Sequence, residues 1–111
     1  MPSSLHIVVC GYSIYMDSIV ASLEQTGDVI ITRLHARRGV LLRIMALAPN
    51  VVILDDQIHS NELIAALLHR DFPVLLLDAQ QNSITKFSKQ RITILNATDL
   101  IKVVEQVALQ T

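Results

Sequence analysis

Residues 49–56 read Pro-Asn-Val-Val-Ile-Leu-Asp-Asp, and this stretch carries the clearest structural signal in the chain. Four apolar residues, most of them β-branched, follow a proline that ends any preceding helix, and they stop at two carboxylates. Such a run is typical of a central strand that is buried on both faces of a parallel sheet. Because ligands bind at the carboxyl edge of open α/β sheets, Asp55 and Asp56 are the first candidates for a functional site.

Similar apolar runs lie on both sides of this stretch, separated by segments whose apolar residues have helical spacing. Five strands are predicted, at His6–Cys10, Asp28–Leu34, Val51–Leu54, Val74–Leu77 and Ile92–Leu95. The helices between and after them are predicted from four apolar stripes: Met16, Ile19, Val20 and Leu23; Val40, Leu41, Ile44 and Leu47; Leu63, Ile64, Leu67 and Leu68; and Leu100, Val103, Val104 and Val107. Residues 79–90 are polar apart from Ile84 and Phe87, which predicts a loop with one short helix at most.

Alternating strands and helices predict a single α/β domain over residues 1–111, a three-layer, doubly wound fold. The expected sheet has five parallel strands in the order 2-1-3-4-5. This order brings together the carboxyl ends of strands one, three and four. The residues expected at that edge are Cys10 and Gly11, Asp55 and Asp56, and Asp78.

Composition narrows the classes of function. Charged residues interrupt every apolar run well before the roughly 20 residues of a membrane span, although the mean hydropathy is +0.46. The single cysteine excludes an internal disulfide, and no signal peptide is visible, so we expect a cytoplasmic protein. A net charge of -1 and an aromatic content of 4% argue against direct nucleic-acid binding. A protein partner, a second copy of the chain or a small anion is the expected ligand.

Two stretches resemble the receiver domains of two-component response regulators. Residues 48–55, Ala-Pro-Asn-Val-Val-Ile-Leu-Asp, resemble the third strand of a receiver and its phospho-accepting aspartate, and residues 72–77, Phe-Pro-Val-Leu-Leu-Leu, resemble the fourth strand. The order of elements is similar over nearly the whole chain. The resemblance implies a receiver-like, flavodoxin-like fold, in which the segment after Asp78 leaves room only for a shortened fourth helix, and it places the phosphoacceptor position at Asp55.

The residues around that position depart from the receiver pattern. Receivers carry an acidic pair for Mg²⁺ after the first strand, where this chain has Cys10 and Gly11. Asp78 stands where receivers have Ser or Thr, and Leu95-Asn96 stands where they have Lys. Because nearby carboxylates oppose the negative charge of a phosphoryl group, we predict an atypical receiver-like signalling domain that is not phosphorylated in the usual way. Such a domain acts through protein–protein interaction, without enzymatic activity or a resident cofactor.

Each candidate residue also has an alternative interpretation. Asp55 is a solvated carboxylate at a strand end, a working phosphoacceptor, or a ligand of Mg²⁺ or Ca²⁺ together with Asp78. Asp56 is interpreted as loop polarity. Arg37 and Arg38 belong to a basic connection with Arg33 and His35, which is either a solvated loop or a contact for an anion or an acidic partner. A small anion or metal sensor is therefore one alternative function.

Cys10 supports another alternative. It lies at the end of the first strand, before a helix whose N-terminus would lower the pKa of a thiol. The sequence Cys10-Gly11-Tyr12-Ser13 resembles the phosphocysteine loop of the B-subunits of sugar phosphotransferase systems. That resemblance implies a phosphocarrier that uses Cys10, whereas an inert core cysteine is the simpler interpretation.

Overall fold

The computed structural model describes residues 5–25, 27–55, 61–78, 83–87, 92–96 and 104. These residues form one sheet with helices on both of its faces. The elements are β1 (Leu5–Cys10), α1 (Ile14–Glu24), β2 (Val29–Leu34), α2 (Val40–Leu47), β3 (Val51–Asp55), α3 (Asn61–His69), β4 (Val74–Asp78), β5 (Ser83–Phe87) and β6 (Ile92–Asn96). None of the described helices is long and apolar enough to cross a membrane.

The sheet has six strands in the order β2-β1-β3-β4-β5-β6. The first four neighbours in this order are parallel to one another. β5 is antiparallel to β4 and to β6. Because two antiparallel steps follow one another, β6 runs in the same direction as β4.

The predicted strand order 2-1-3-4-5 is confirmed, but the prediction of an all-parallel sheet is wrong. Ser83–Phe87 is a strand where a loop or short helix was expected, and the predicted fifth strand at Ile92–Leu95 is the sixth strand, β6. A two-stranded antiparallel connection needs only a short turn, whereas a parallel neighbour needs a crossover of a dozen or more residues. The described part of residues 79–91 contains no helix, so the shortened fourth helix is not confirmed.

Side chains on the two faces of the sheet form two separate cores. The core on the α1 face includes Ile7 and Val9 of β1, Ile53 of β3 and the buried side of α1, which is Met16, Ile19, Val20 and Leu23. Val104 is helical and buried in this same core, as predicted for the last helix; the other residues predicted for that helix lie outside the described residues. The opposite core, on the α2 and α3 face, includes Cys10, Leu54, Ile44 and Leu67. The three-layer arrangement is therefore confirmed.

Alternation along the strands decides which residues can meet at the carboxyl edge. In β1 and β3, Val9 and Ile53 are register partners and face α1, whereas Cys10 and Leu54 are partners and face α2 and α3. Asp55 comes one residue after Leu54, so it returns to the α1 face. Cys10 and Asp55 thus lie on opposite sides of the sheet.

Candidate functional site

A crevice opens at the carboxyl edge of the sheet, between β1 and β3. After β1 the chain continues into α1 on one face, and after β3 it continues into α3 on the other face. Ligands of open α/β sheets bind where consecutive connections diverge in this way. We call this cavity of about 370 Å³ the edge crevice; it is lined by Gly11, Tyr12, Ser13, His35, Ala36, Arg37 and Asp55.

Asp55 forms the floor of the edge crevice. Its side chain is only 5% exposed, because β3 extends through Asp55 and keeps the carboxylate within the sheet edge. The hydroxyl of Ser13 donates a hydrogen bond to Oδ2 of Asp55 at 2.5 Å. The expectation of a solvated strand-end carboxylate is therefore wrong: Asp55 is buried and hydrogen-bonded.

Ser13 links this carboxylate to the start of α1. It is the N-cap residue of the helix, and its Oγ accepts a hydrogen bond from the backbone N–H of Met16 at 3.2 Å. Unpaired N–H groups and the helix dipole favour a negative charge at this end of a helix. Here Asp55 provides that charge, so the protein supplies its own anion at a position where many α/β proteins bind a phosphate.

Gly11 sets the path of the loop between β1 and α1. Its φ of 130° is a backbone conformation that residues with a Cβ rarely adopt. Its N–H donates to the carbonyl of Leu34 at 3.1 Å, and its own carbonyl accepts from Nε and Nη2 of Arg33 at 3.3 and 2.9 Å. A backbone requirement therefore favours glycine at this position.

Arg33 belongs to β2 and stabilises this loop, so the interpretation of Arg33 as part of a solvated connection is wrong. Its Nη1 donates to Oδ1 of Asp17 at 2.6 Å, and its guanidinium carbon lies 4.4 Å from the centre of the Tyr12 ring. The ion pair with Asp17 and the contacts with the loop engage all three nitrogens of its guanidinium. Arg33 therefore acts as a structural residue behind the wall of the crevice.

Tyr12 and His35 form an aromatic wall. Their rings are stacked, with centroids 4.2 Å apart and an angle of 22° between the planes. The Tyr12 hydroxyl donates to the carbonyl of Arg33 at 3.4 Å. These two residues come from different loops, so the stack joins the β1–α1 loop to the β2–α2 loop.

Arg37 and Arg38 are both exposed, but only Arg37 lines the edge crevice. The backbone N–H of Arg37 donates to the carbonyl of His35 at 2.9 Å, which forms a tight turn after β2. Arg37 thus places a positive charge at the rim of a cavity whose floor is a carboxylate. Asp56, the other predicted residue of this edge, lies outside the described residues.

Cys10 lies in the core and not in the crevice. It is 0% exposed and packs on the α2 and α3 face, and burial raises the pKa of its thiol to about 11. A nucleophilic cysteine needs the opposite environment, one that stabilises the thiolate. This placement agrees with an inert core cysteine and argues against the phosphocarrier.

Asp78 influences the same neighbourhood as Asp55 but does not line the crevice. The pKa of the Tyr15 phenol is raised by burial and then by the charges of Asp78 and Asp55, so both carboxylates act on one side chain. The Tyr15 hydroxyl is buried without a hydrogen-bond partner among the described residues. Within the same residues, no three His, Cys, Asp or Glu side chains come together as metal ligands.

Four residues that line the crevice were not among the predicted site residues: Tyr12, Ser13, Ala36 and His35, the last of which was predicted only as part of the basic connection. Ser13 carries a usable signal, because a serine directly before a run with helical spacing is a typical N-cap. No sequence signal indicates the stacking of Tyr12 on His35, since these residues belong to loops that are distant in the sequence. Comparison with protein-family models, with curated proteins and with solved structures gave no match.

Proposed function

We propose that this chain is a receiver-like signalling module that binds a protein partner or a second copy of itself, and that Asp55 is not phosphorylated in the Mg²⁺-dependent way of receivers. The observation that carries the proposal is the state of Asp55, which is buried at 5% exposure and accepts the Ser13 hydroxyl at 2.5 Å. The position that receivers use for chemistry is here part of a structural contact.

Phosphorylation of Asp55 would have to break this contact and add charge. The incoming phosphoryl group needs room beside a carboxylate oxygen, and Ser13 already lies against Oδ2. A hydrogen bond to a charged group contributes about 1.5–3 kcal/mol, which the reaction would lose. The added phosphoryl group brings about two negative charges, and Asp78 acts on the same neighbourhood.

Two further features support an interaction module. In receivers the fourth helix and fifth strand respond to phosphorylation, and the corresponding side of this sheet carries the antiparallel strand β5. Large apolar side chains also face outward, with Ile14 85% and Leu42 70% exposed. These residues are available for contact with a partner.

Treatment with acetyl phosphate and Mg²⁺, followed by intact mass measurement, tests the proposal. We expect no gain in mass, because phosphorylation would displace the Ser13 hydroxyl from Asp55 and add negative charge beside Asp78. Asp55→Asn is the control, since it removes the acceptor and keeps the size of the side chain. A stable gain of one phosphoryl group that disappears in Asp55→Asn contradicts the proposal and makes the chain a working switch.

A further inference from the structure

We propose that the edge crevice binds a small zwitterion of the α-amino acid class, with its ammonium group towards Asp55 and its carboxylate towards Arg37. The inference rests on the proposed function only for the role of this ligand: binding of the ligand in the edge crevice would regulate binding of the protein partner. The binding itself is argued from the charges, the walls and the rigidity of the crevice.

The charges of the crevice are opposite in sign and lie at different depths. Asp55 is buried at the floor, whereas Arg37 is exposed at the rim. A phosphate would meet a carboxylate at the N-terminus of α1, where the favourable position for an anion is already taken. A divalent cation would meet the guanidinium of Arg37, and the described residues offer no set of three metal ligands. A ligand with one positive and one negative end matches both charges.

The dimensions and walls of the crevice suit a ligand of this size. Its volume of about 370 Å³ lies at the lower end of small-molecule sites, which span about 300–1,000 Å³. The Tyr12–His35 stack offers an aromatic surface for an apolar or aromatic side chain. We therefore expect phenylalanine or leucine to bind more tightly than glycine.

The walls are held in place before a ligand arrives. Arg33 fixes the Gly11 carbonyl and contacts the Tyr12 ring, and the stack with His35 holds the second loop. The charge of Arg33 is paired with Asp17, so this arginine does not compete with Arg37 for the carboxylate of a ligand. A preorganised site loses little conformational entropy on binding.

The first experiment is isothermal titration calorimetry with L-phenylalanine and two blocked forms of it. N-acetyl-L-phenylalanine lacks the ammonium group, and L-phenylalaninamide lacks the carboxylate. We expect each blocked form to bind at least about tenfold more weakly, since each loses one charge-assisted contact. Equal binding of either blocked form overturns the inference, and so does the absence of measurable binding of phenylalanine, leucine and glycine at millimolar concentration.

A matched pair of variants tests the rim. Arg37→Gln removes the guanidinium that lines the crevice, and we expect it to weaken phenylalanine binding at least about tenfold. Arg38→Gln removes a neighbouring exposed charge that does not line the crevice, and we expect the affinity to stay within about twofold because Arg38 makes no charge-assisted contact with the ligand. If both variants weaken binding equally, general surface charge is responsible and the inference fails.

Inorganic phosphate and MgCl₂ are titrated in parallel as probes of the simpler alternatives. Tighter binding of either ion than of phenylalanine contradicts a zwitterion site. The outcome is independent of the phosphorylation test. If phenylalanine fails to bind and acetyl phosphate leaves the mass unchanged, only the ligand is wrong; if phenylalanine binds and Asp55 is phosphorylated, only the proposed function is wrong.

Discussion

The two sides of the sheet are built differently. From β2 to β4 the neighbouring strands are parallel, and helices pack over both faces. Beyond β4 the strands are antiparallel, with β5 paired to β4 and β6 paired to β5. We call β2, β1, β3 and β4 the parallel half, and β5 with β6 the hairpin half.

The edge crevice belongs entirely to the parallel half. Connections that leave β1 and β3 on opposite faces create the opening there, and antiparallel neighbours do not create one. The hairpin half instead contributes Ile84 to the same core as Ile53. The comparison indicates that the parallel half carries the site, while the hairpin half extends the core.

The largest expected effect tests whether the two halves form one cooperative unit. Ile53 in β3 and Ile84 in β5 are both fully buried in the core on the α1 face. We expect Ile53→Ala and Ile84→Ala each to lower the free energy of unfolding by about 2–5 kcal/mol, because each leaves a cavity. Urea unfolding followed by circular dichroism measures both values. A cost below about 1 kcal/mol for Ile84→Ala alone would show that the hairpin half is not part of the cooperative core.

A smaller loss in the free energy of unfolding is expected at alkaline pH. It arises from Cys10 in the parallel half, which is the only cysteine of the chain. The pKa of Cys10 is raised from its ordinary value of 9.0 to about 11 in the folded protein. The folded state thus keeps a proton that the unfolded state loses. The protonated thiol therefore contributes about 2–3 kcal/mol to the free energy of unfolding. This contribution is complete below pH 9.0 and is lost as the pH rises through about 11.

Urea unfolding between pH 8 and pH 11 measures this loss. Cys10→Ala should show a shallower decline in the free energy of unfolding over the same range, because the other titrating groups, including Tyr15, remain. Identical slopes for the two proteins would refute a role for the buried thiol.

Removal of the Ser13 hydroxyl tests how much the polar contacts of the crevice stabilise the parallel half. Ser13→Ala removes the N-cap of α1 and a donor to buried Asp55, so we expect a loss of about 1–3 kcal/mol in unfolding free energy. Ser13→Thr keeps a hydroxyl and should retain most of the stability. The prediction is wrong if the free energy of unfolding of Ser13→Ala, measured by thermal and urea unfolding, differs from that of the unchanged chain by less than about 0.5 kcal/mol, which is close to the precision of such measurements.

The smallest effect is expected for a hydroxyl in the hairpin half. Thr85 is partly exposed on β5, and Thr85→Val keeps its β-branched shape. We expect the unfolding free energy to change by less than about 0.5 kcal/mol, as for most substitutions away from special contacts. If Thr85→Val lowered the free energy of unfolding as much as Ser13→Ala, hydroxyl groups in the two halves would contribute equally to stability, and the contrast would be wrong.

The parallel half was predictable because its strands are strong local signals. Val51–Leu54 is a continuous β-branched and apolar run, which indicates a strand buried on both faces. In β5, Ser-Ile-Thr-Lys-Phe alternates over only five residues between polar segments. A pattern this short is weak on its own, and pairing with β4 decides the outcome.

The position of the candidate site in the fold could be predicted from the sequence, but the burial and hydrogen bonding of Asp55 could not. Asp55 follows from its position after the third strand. Its hydrogen-bond donor is Ser13, which lies 42 residues earlier in the chain, and no local sequence pattern indicates such a contact. The face of Cys10 could have been predicted, because alternation along β1 sends Cys10 to the side opposite Val9.

The number of strands in the hairpin half has a consequence for how this fold tolerates insertions. Two added strands reverse the chain twice, so β6 finishes at the same edge of the sheet as β4. A single extra antiparallel strand would instead end at the opposite edge of the sheet. Chains of this architecture should therefore gain or lose antiparallel strands beyond β4 in even numbers, which leaves the crevice undisturbed.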